Sequence, residues 1–175
     1  ALVLVESPSN PLLGIVDLRA LATLCRARGA VLCVDGSLCP PPYQQPLALG
    51  ADLVLHSATK YLCGHGDATA GVVATRTREL FERLAFTQNA EGAGLAPFES
   101  WLVLRGLKTL PLRFAAQQRN ARRLARFLAG HPLVTRVHYP GLGSHPGHAL
   151  HRSQAAGDGA VLSFETGDAE LSRLL

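Results

Sequence analysis

The sequence predicts an α/β fold with a mostly parallel sheet, because short apolar runs alternate with amphipathic segments. Continuous apolar runs of about five residues are typical of strands that a parallel sheet buries on both faces. An amphipathic segment at 17–28 separates the first two runs and predicts a crossover helix, with Gly29 as its stop. The predicted strands are ALVLV (1–5), VLCVD (31–35), DLVL (52–55) and GVVAT (71–75).

The pattern changes after Leu95, where helical periodicity replaces the buried strands. Helices are predicted at about 76–88, 98–104 and 111–129, and strands at 134–138 and 159–165. We therefore expect residues 1–110 to belong to a large parallel-sheet domain, and residues 111–175 to form a linking helix and the start of a small α+β domain. The chain begins inside a predicted strand, contains no Met and stops in mid-pattern, so we interpret it as part of a longer protein.

The composition is that of a globular protein with an apolar core. Of the 175 residues, 47% are hydrophobic and 17% are charged, and the net charge is +4. We expect Trp101 to lie in the core with its neighbours Phe98 and Leu102. The arginines of the helix at 111–129 are interpreted as a solvated face, because no nucleic-acid-binding module accompanies them. No apolar run reaches about 18 residues, so neither nucleic acid nor membrane is expected as a partner.

The cysteines and histidines do not form the spacings of a metal site. Cys25, Cys33, Cys39 and Cys63 lack a CxxC pair, and we predict reduced, mostly buried thiols of an intracellular protein. The tract HxxHxxH at 145–151 begins in a Ser-His-Pro-Gly turn, and no Cys or paired carboxylate completes a ligand set. We interpret this tract as a polar surface segment and expect no metal.

Polar clusters follow three of the predicted strands, as ESPSN (6–10), DGS (35–37) and SATK (57–60). In parallel sheets, ligands bind beyond the carboxyl ends of the strands. The chain has 15 Arg but only two Lys, Lys60 and Lys108. Because a Lys amine can lose its proton and act as a nucleophile, whereas Arg cannot, Lys60 is a candidate reactive group.

These clusters contain the groups that pyridoxal phosphate requires. The amine of Lys60 can condense with an aldehyde, and the hydroxyls of Ser57 and Thr59 can hold a phosphate. Asp35 can keep a pyridine nitrogen protonated, and Asn10 can donate a hydrogen bond to the ring hydroxyl oxygen. Taken singly, each has a plainer explanation, since an Asp at a strand end is more often a turn former and Ser-x-Thr-Lys is more often surface loop. Their combination at one edge of one sheet favours the cofactor site.

The segments ESPSNP, VLCVDGS, ADLVLHSATKYLCGHGD, LRGLKTLPLR and YPGLGSHPGH, in this order and spacing, resemble the Cys/Met-metabolism family of pyridoxal-phosphate enzymes. This is the transsulfuration group of cystathionine γ-synthase, cystathionine β- and γ-lyases and methionine γ-lyase. The resemblance implies an aspartate-aminotransferase-like fold (fold type I), with residues 1–110 as the C-terminal part of the cofactor-binding large domain. It implies that Lys60 forms the Schiff base with the cofactor and that Asp35 partners the pyridine nitrogen. By the same resemblance, Ser57 and Thr59 bind the phosphate and Asn10 contacts the ring.

Within the family, residues 88–113 and 144–155 look most like the plant-type cystathionine β-lyases. That likeness implies cleavage of cystathionine by β-elimination to homocysteine, pyruvate and ammonia, a step of methionine biosynthesis. A γ-lyase or γ-synthase remains the alternative among enzymes, because the members share the core chemistry. Outside the enzymes, the alternative is a truncated scaffold without activity.

The resemblance also bears on assembly and on what this segment lacks. It implies a homo-oligomer, a tetramer built from dimers, in the cytoplasm or the plastid stroma, with any targeting segment outside this chain. A Gly-rich phosphate loop, an aromatic residue stacking on the ring and an Arg for the substrate carboxylate are expected outside it too. We therefore expect the segment alone to be inactive.

The chain departs from the family pattern near the site. Gly36 stands where Asn is usual, Cys63 where Gly is usual, and Gly66 where Ser is usual. Three consecutive prolines at 40–42 stiffen a loop that normally has one. None of these changes removes a group with a proposed covalent or acid role.

Overall fold

The computed structural model describes residues 1–174, which contain one four-stranded and one two-stranded sheet with helices around them. The strands of the larger sheet are β1 (Leu2–Glu6), β2 (Val31–Asp35), β3 (Leu53–Ser57) and β4 (Gly71–Thr75), in that spatial order. The strands β1, β2 and β3 are parallel, whereas β4 runs antiparallel to β3. The prediction of a mostly parallel sheet is therefore confirmed.

The helices agree with the predicted periodic segments and add two more. Both additional helices, the fifth and the sixth, are short, and neither was predicted. No helix among residues 1–174 is long and apolar enough to cross a membrane. The helices are α1 (Leu18–Ala27), α2 (Arg78–Glu91), α3 (Pro97–Leu107), α4 (Leu110–Ala129), α5 (His148–Gln154) and α6 (Ala169–Leu174).

The first helix is the crossover between two parallel strands. Asp17 caps α1, because its Oδ1 accepts a hydrogen bond of 2.9 Å from the backbone N–H of Ala20. The buried face of α1 packs on β2 in an apolar cluster that contains Leu18, Ala22, Leu32 and Val34. This packing covers one face of the parallel strands and holds β1 beside β2.

The connection from β3 to β4 turns back without a crossover helix. It begins with a π-helical turn (Ala58–Leu62) directly after β3. Because residues 58–70 reverse the chain beside β3, the fourth strand pairs antiparallel, with Ser57 opposite Gly71. Lys60 lies inside this reversal and not on a regular element.

The fourth helix packs on the same reversal through an aromatic cluster. Phe114 is fully buried, and its ring centroid lies 4.8 Å from those of both Tyr43 and Tyr61. Leu62 and Cys63 belong to the same core cluster. The segment that follows Lys60 is therefore held by helix packing.

The second sheet consists of two antiparallel strands, β5 (Arg136–His138) and β6 (Ser163–Glu165). Tyr139 is fully buried beside this sheet and donates a hydrogen bond of 3.0 Å to the carbonyl oxygen of Gly159. Arg122 of α4 forms an ion pair with the buried Asp158, its Nε lying 3.0 Å from the carboxylate. Burial, with a contribution from Asp158, raises the pKa of Tyr139 to about 12. The domain division at 110/111 stays a prediction.

Two expectations about burial are wrong. The first strand is covered on one face only, since α1 packs on that face while Leu2 and Leu4 are 63% and 61% exposed on the other. Phe98 and Trp101 stack on each other at a centroid distance of 6.0 Å but stand outside the core, 65% and 54% exposed. Both departures have one physical reason: no part of residues 1–174 packs over these side chains.

The histidine tract is not a surface segment, which corrects the sequence interpretation. His145 and His151 are buried, and the second half of the tract forms α5. The Nε2 atom of His151 lies 2.7 Å from the carbonyl oxygen of Gly157, and its Nδ1 is buried without a partner. No three His, Cys, Asp or Glu side chains within residues 1–174 are grouped as metal ligands. All four cysteines are buried and free.

The burial of His151 predicts a pH dependence of stability. Burial lowers the pKa of His151, so the folded state keeps the neutral ring while the unfolded chain takes up a proton below its ordinary pKa of about 6.5. The free energy of unfolding should therefore be highest above about pH 6.5 and should fall as the pH drops below it. In urea titrations of the full-length protein, we expect His151→Gln to show a weaker fall. The control is His131→Gln, a half-buried residue just after α4. Equal slopes for the wild type and His151→Gln would contradict the prediction.

Candidate active site

The ends of the three parallel strands lie at one edge of the sheet. Their register pairs Glu6 with Asp35 and Asp35 with Leu55. Beyond the strands, the N–H of Gly36 still donates to the carbonyl oxygen of Leu55 at 2.9 Å. The three polar clusters of the sequence therefore follow neighbouring strand ends, as the parallel topology predicts.

Lys60 lies in the π-helical turn after β3 and is exposed. Its backbone leaves the helical region, with φ −81° and ψ −113°, so the turn is interrupted at this residue. The turn closes around it, because the N–H of Cys63 donates to the oxygen of Ala58 at 2.8 Å and that of Gly64 donates to the oxygen of Lys60 at 2.9 Å. Single π-type turns are frequently found at functional sites.

A cavity of about 440 Å³ joins Lys60 to groups from other parts of the chain. Asn10, from the loop after β1, lines this cavity, as does Gln117 of α4. The backbone N–H of Asn10 is held by the carboxylate of Glu6 at 3.0 Å, while the residue itself is exposed. Two of the predicted site residues, Lys60 and Asn10, therefore face one space.

Asp35 and Ser57 are connected through Ser37. The N–H of Ser37 donates to Oδ1 of Asp35 at 2.8 Å, and the Oγ of Ser37 accepts a hydrogen bond of 2.6 Å from the N–H of Ser57. Asp35 and Ser57 are half-buried at the ends of β2 and β3. The sequence pointed to the DGS cluster but assigned no role to Ser37, whose hydroxyl fixes the spacing of these strand ends.

The hydroxyl of Thr59 is engaged within the protein. It accepts a hydrogen bond of 2.9 Å from the N–H of Ala70 and donates one of 3.3 Å to the carbonyl oxygen of the same residue. These contacts attach the Lys60 turn to the start of β4. Because a hydroxyl has a single proton to donate, a phosphate at Thr59 has to compete with Ala70 for it.

His56 fills the space beside the strand-end carboxylate. Its buried ring stands against Gly36, where an added Cβ would lie 2.7 Å from the ring Cε1. Burial lowers the pKa of His56, and the nearby Asp35 carboxylate and the backbone of Gly36 oppose this shift. The ring thus occupies the position that a side chain at 36 would take.

Gln117 is the site residue that sequence reasoning missed. Its Oε1 atom is buried without a hydrogen-bond partner, in a helix whose buried face carries Phe114 and Ala121. A buried amide oxygen without a partner is costly unless a ligand or water satisfies it. The available signal was one polar residue at i+3 from Phe114 within the apolar stripe of α4.

The backbone closely matches that of solved structures. Cystathionine γ-synthase from Xanthomonas oryzae pv. oryzae superposes with a TM-score of 0.96 at 47% identity, over 99% of this chain and 45% of that chain. The fold is that of a fragment of the large domain of fold type I pyridoxal-phosphate enzymes.

The sequence comparison identifies the family to which the chain belongs. Residues 1–175 match the family described as Cys/Met metabolism PLP-dependent enzyme, and the chain belongs to this family. It is 51% identical over 174 residues to chloroplastic cystathionine β-lyase of Arabidopsis thaliana, covering 99% of this chain and 38% of that protein. It is also 51% identical over 166 residues to cystathionine γ-lyase of Bacillus subtilis, covering 95% of this chain and 44% of that protein. The chain thus spans less than half the length of these relatives.

The residues that line the cavity fit the cofactor of the family. Lys60 supplies an amine and Asn10 an amide donor, while the buried Oε1 of Gln117 lacks a partner. Ser57, which carries a half-buried hydroxyl at the end of β3, lies outside the lining of this cavity. An amine, neutral donors and an open space at the carboxyl ends of parallel strands suit an aldehyde that carries a phosphate.

Removing the Ser37 hydroxyl should loosen the strand ends. Ser37→Ala leaves the N–H of the half-buried Ser57 without its acceptor, which costs up to about 1–3 kcal/mol. We expect a lower urea midpoint and weaker binding of pyridoxal phosphate by the full-length protein, measured by fluorescence titration. Ser153→Ala is the matched control, because its exposed hydroxyl bonds only to Leu150 within α5. A Ser37→Ala protein with unchanged midpoint and affinity would show that this link is dispensable.

Proposed function

We propose that the chain provides the lysine-bearing part of a pyridoxal-phosphate-dependent carbon–sulfur lyase. In this proposal the full protein cleaves cystathionine by β-elimination, and cystathionine and water give homocysteine, pyruvate and ammonia. The observation that carries the proposal is the cavity that Lys60 and Asn10 share at the carboxyl ends of the parallel strands. Family membership supports the amino-acid substrate class.

Each proposed residue has a defined task. The bound cofactor supplies an electron sink for the pair left at Cα when its proton is removed. Lys60 would hold the cofactor through its amine, and its Nζ would take the Cα proton of the substrate. Asp35 keeps the pyridine nitrogen protonated, and the amide of Asn10 donates to the ring hydroxyl oxygen. The hydroxyls of Ser57 and Thr59 donate to the phosphate, Thr59 after exchanging its contact with Ala70.

The choice of β-elimination rests on the segments at 88–113 and 144–155 and on the likeness to the Arabidopsis thaliana β-lyase. Equal identity to the Bacillus subtilis γ-lyase favours γ-cleavage as the second candidate. A γ-acting enzyme must also remove a Cβ proton. None of the proposed residues is specific to one of the two reactions.

The proposal includes an assembly and has one alternative outside the enzymes. The exposed apolar side chains of α3, including Phe98 and Trp101, support assembly with further protein, for which we propose a homo-oligomer built from dimers. The non-enzyme alternative, a scaffold without activity, predicts that the full protein takes up no cofactor.

Lys60→Arg tests the assignment of the lysine. Arginine keeps the positive charge but does not lose its proton, so turnover should fall by more than about a thousandfold. The yellow absorption of the lysine-bound cofactor should disappear, and borohydride should no longer attach the cofactor to the peptide that contains residue 60. The matched control is Lys108→Arg, which replaces the other lysine of this chain at an exposed position and should keep both signals. A Lys60→Arg enzyme with wild-type absorption and turnover would make the assignment wrong.

The products separate the two candidate reactions. With cystathionine as substrate, β-cleavage yields pyruvate, whereas γ-cleavage yields 2-oxobutyrate and cysteine. We expect pyruvate and homocysteine in equal amounts when the full-length enzyme is assayed with each oxo acid quantified separately. Predominant 2-oxobutyrate would replace the β-lyase proposal with the γ-lyase.

A further inference from the structure

The turn that carries Lys60 has a cap supplied from α4. Nη2 of Arg113 donates to the carbonyl oxygens of Tyr61 and Gly106 at 3.0 and 2.9 Å, with a longer contact of 3.4 Å to that of Leu62. Its Nε donates to Oγ1 of Thr109 at 3.0 Å, which fixes the plane of the guanidinium group. One side chain thus joins the turn after Lys60 to the corner between α3 and α4.

The backbone around Arg113 leaves room only for the guanidinium group. An added Cβ at Gly64 would overlap Nη1 of Arg113, and Gly64 adopts φ +79°, a conformation that other residues rarely take. An added Cβ at Gly106 would overlap the backbone of Cys63. The turn, the helix corner and Arg113 are therefore in direct contact, with no space for a substitute side chain.

The chemistry of the cap explains why an arginine stands there. Carbonyl oxygens at the end of a helical turn have no partner within the turn and carry partial negative charge. A planar guanidinium group can reach several of them at once, whereas the ammonium of a lysine acts as a single point charge. The Nη1 atom is buried without a hydrogen-bond partner, so the guanidinium group makes its hydrogen bonds through Nη2 and Nε.

We propose that Arg113 is a positioning residue that holds the Lys60 turn in the geometry needed to capture the cofactor and transfer the proton. The inference rests on the proposed function of Lys60. It goes beyond that function because Arg113 does not line the cavity and acts through the backbone carbonyl groups of residues 61 and 62. A displacement of about 1 Å at a reacting amine is enough to lower a rate about a hundredfold.

The first test examines the turn without cofactor. In the cofactor-free full-length protein carrying Arg113→Ala, we expect the amides of Cys63 and Gly64 to exchange hydrogen at least about tenfold faster. Amides of β2 should keep their wild-type rates. The control is Arg119→Ala, which removes an exposed arginine of the same helix and should change neither set.

The second test examines Lys60 itself. The rate at which added pyridoxal phosphate gains the yellow absorption of the lysine-bound form should fall about 10–100-fold in Arg113→Ala. Low concentrations of free guanidinium should restore part of this rate in Arg113→Ala but none in Lys60→Ala. A merely destabilised protein would not respond to guanidinium in this way, because guanidinium weakens folded states in general.

A milder variant covers the case in which Arg113→Ala does not fold. Thr109→Val removes the acceptor of Nε and should give the same changes at about three- to tenfold. Normal cofactor capture together with unchanged amide exchange in these variants overturns the positioning role alone. A wild-type protein that captures no cofactor at Lys60 overturns the proposed function, and the positioning role with it.

Discussion

The parallel register of β1, β2 and β3 is the constraint on which the site depends. Side chains alternate between the two faces of a strand, so a slip by one residue would turn Asp35 away from its present face. The pairing of Glu6 with Asp35 and the hydrogen bond from Gly36 to Leu55 fix this register at the end where the polar clusters begin. The packing of α1 sets the same register from the apolar side, because it requires Leu32 and Val34 to face the helix.

Lys60 depends on a second constraint that the sheet does not supply. It lies beyond the end of β3, in a turn that two side chains of α4 hold in place. The ring of Phe114 packs against those of Tyr43 and Tyr61, and Arg113 donates hydrogen bonds to the turn. The strand ends therefore determine where the carboxylate of Asp35 and the hydroxyl of Ser57 lie, and the corner between α3 and α4 determines where the amine of Lys60 lies. The two parts of the site are built by different forces, ladder hydrogen bonds in one case and side-chain packing with a charged cap in the other.

The elements with strong periodicity were predictable and the long-range details were not. The run VLCVD and the apolar stripe of α4 could be predicted from the sequence, because burial imposes a regular spacing on the apolar residues of a strand or helix. The burial of His151 could not be foreseen, since its partner is a backbone oxygen presented by a loop. The same holds for the contact of Thr59 with Ala70, eleven positions away, and for the amide of Gln117, whose cavity is lined by five separate segments of the chain. The local sequence identifies which groups could react or bind a ligand. Whether their lone pairs and protons are free to do so depends on the contacts that they make in the folded protein.

Within residues 1–174, the edges of the main sheet are formed by β1 and β4. Within residues 1–174, β1 pairs only with β2 and β4 only with β3, so each outer strand keeps a row of backbone groups available for pairing. Leu2 and Leu4 lie along one of these rows. Such a border is a template onto which another extended segment can add. A polypeptide that consists only of these 175 residues should therefore aggregate as its concentration rises, unless further strands pair with the two edges of the sheet.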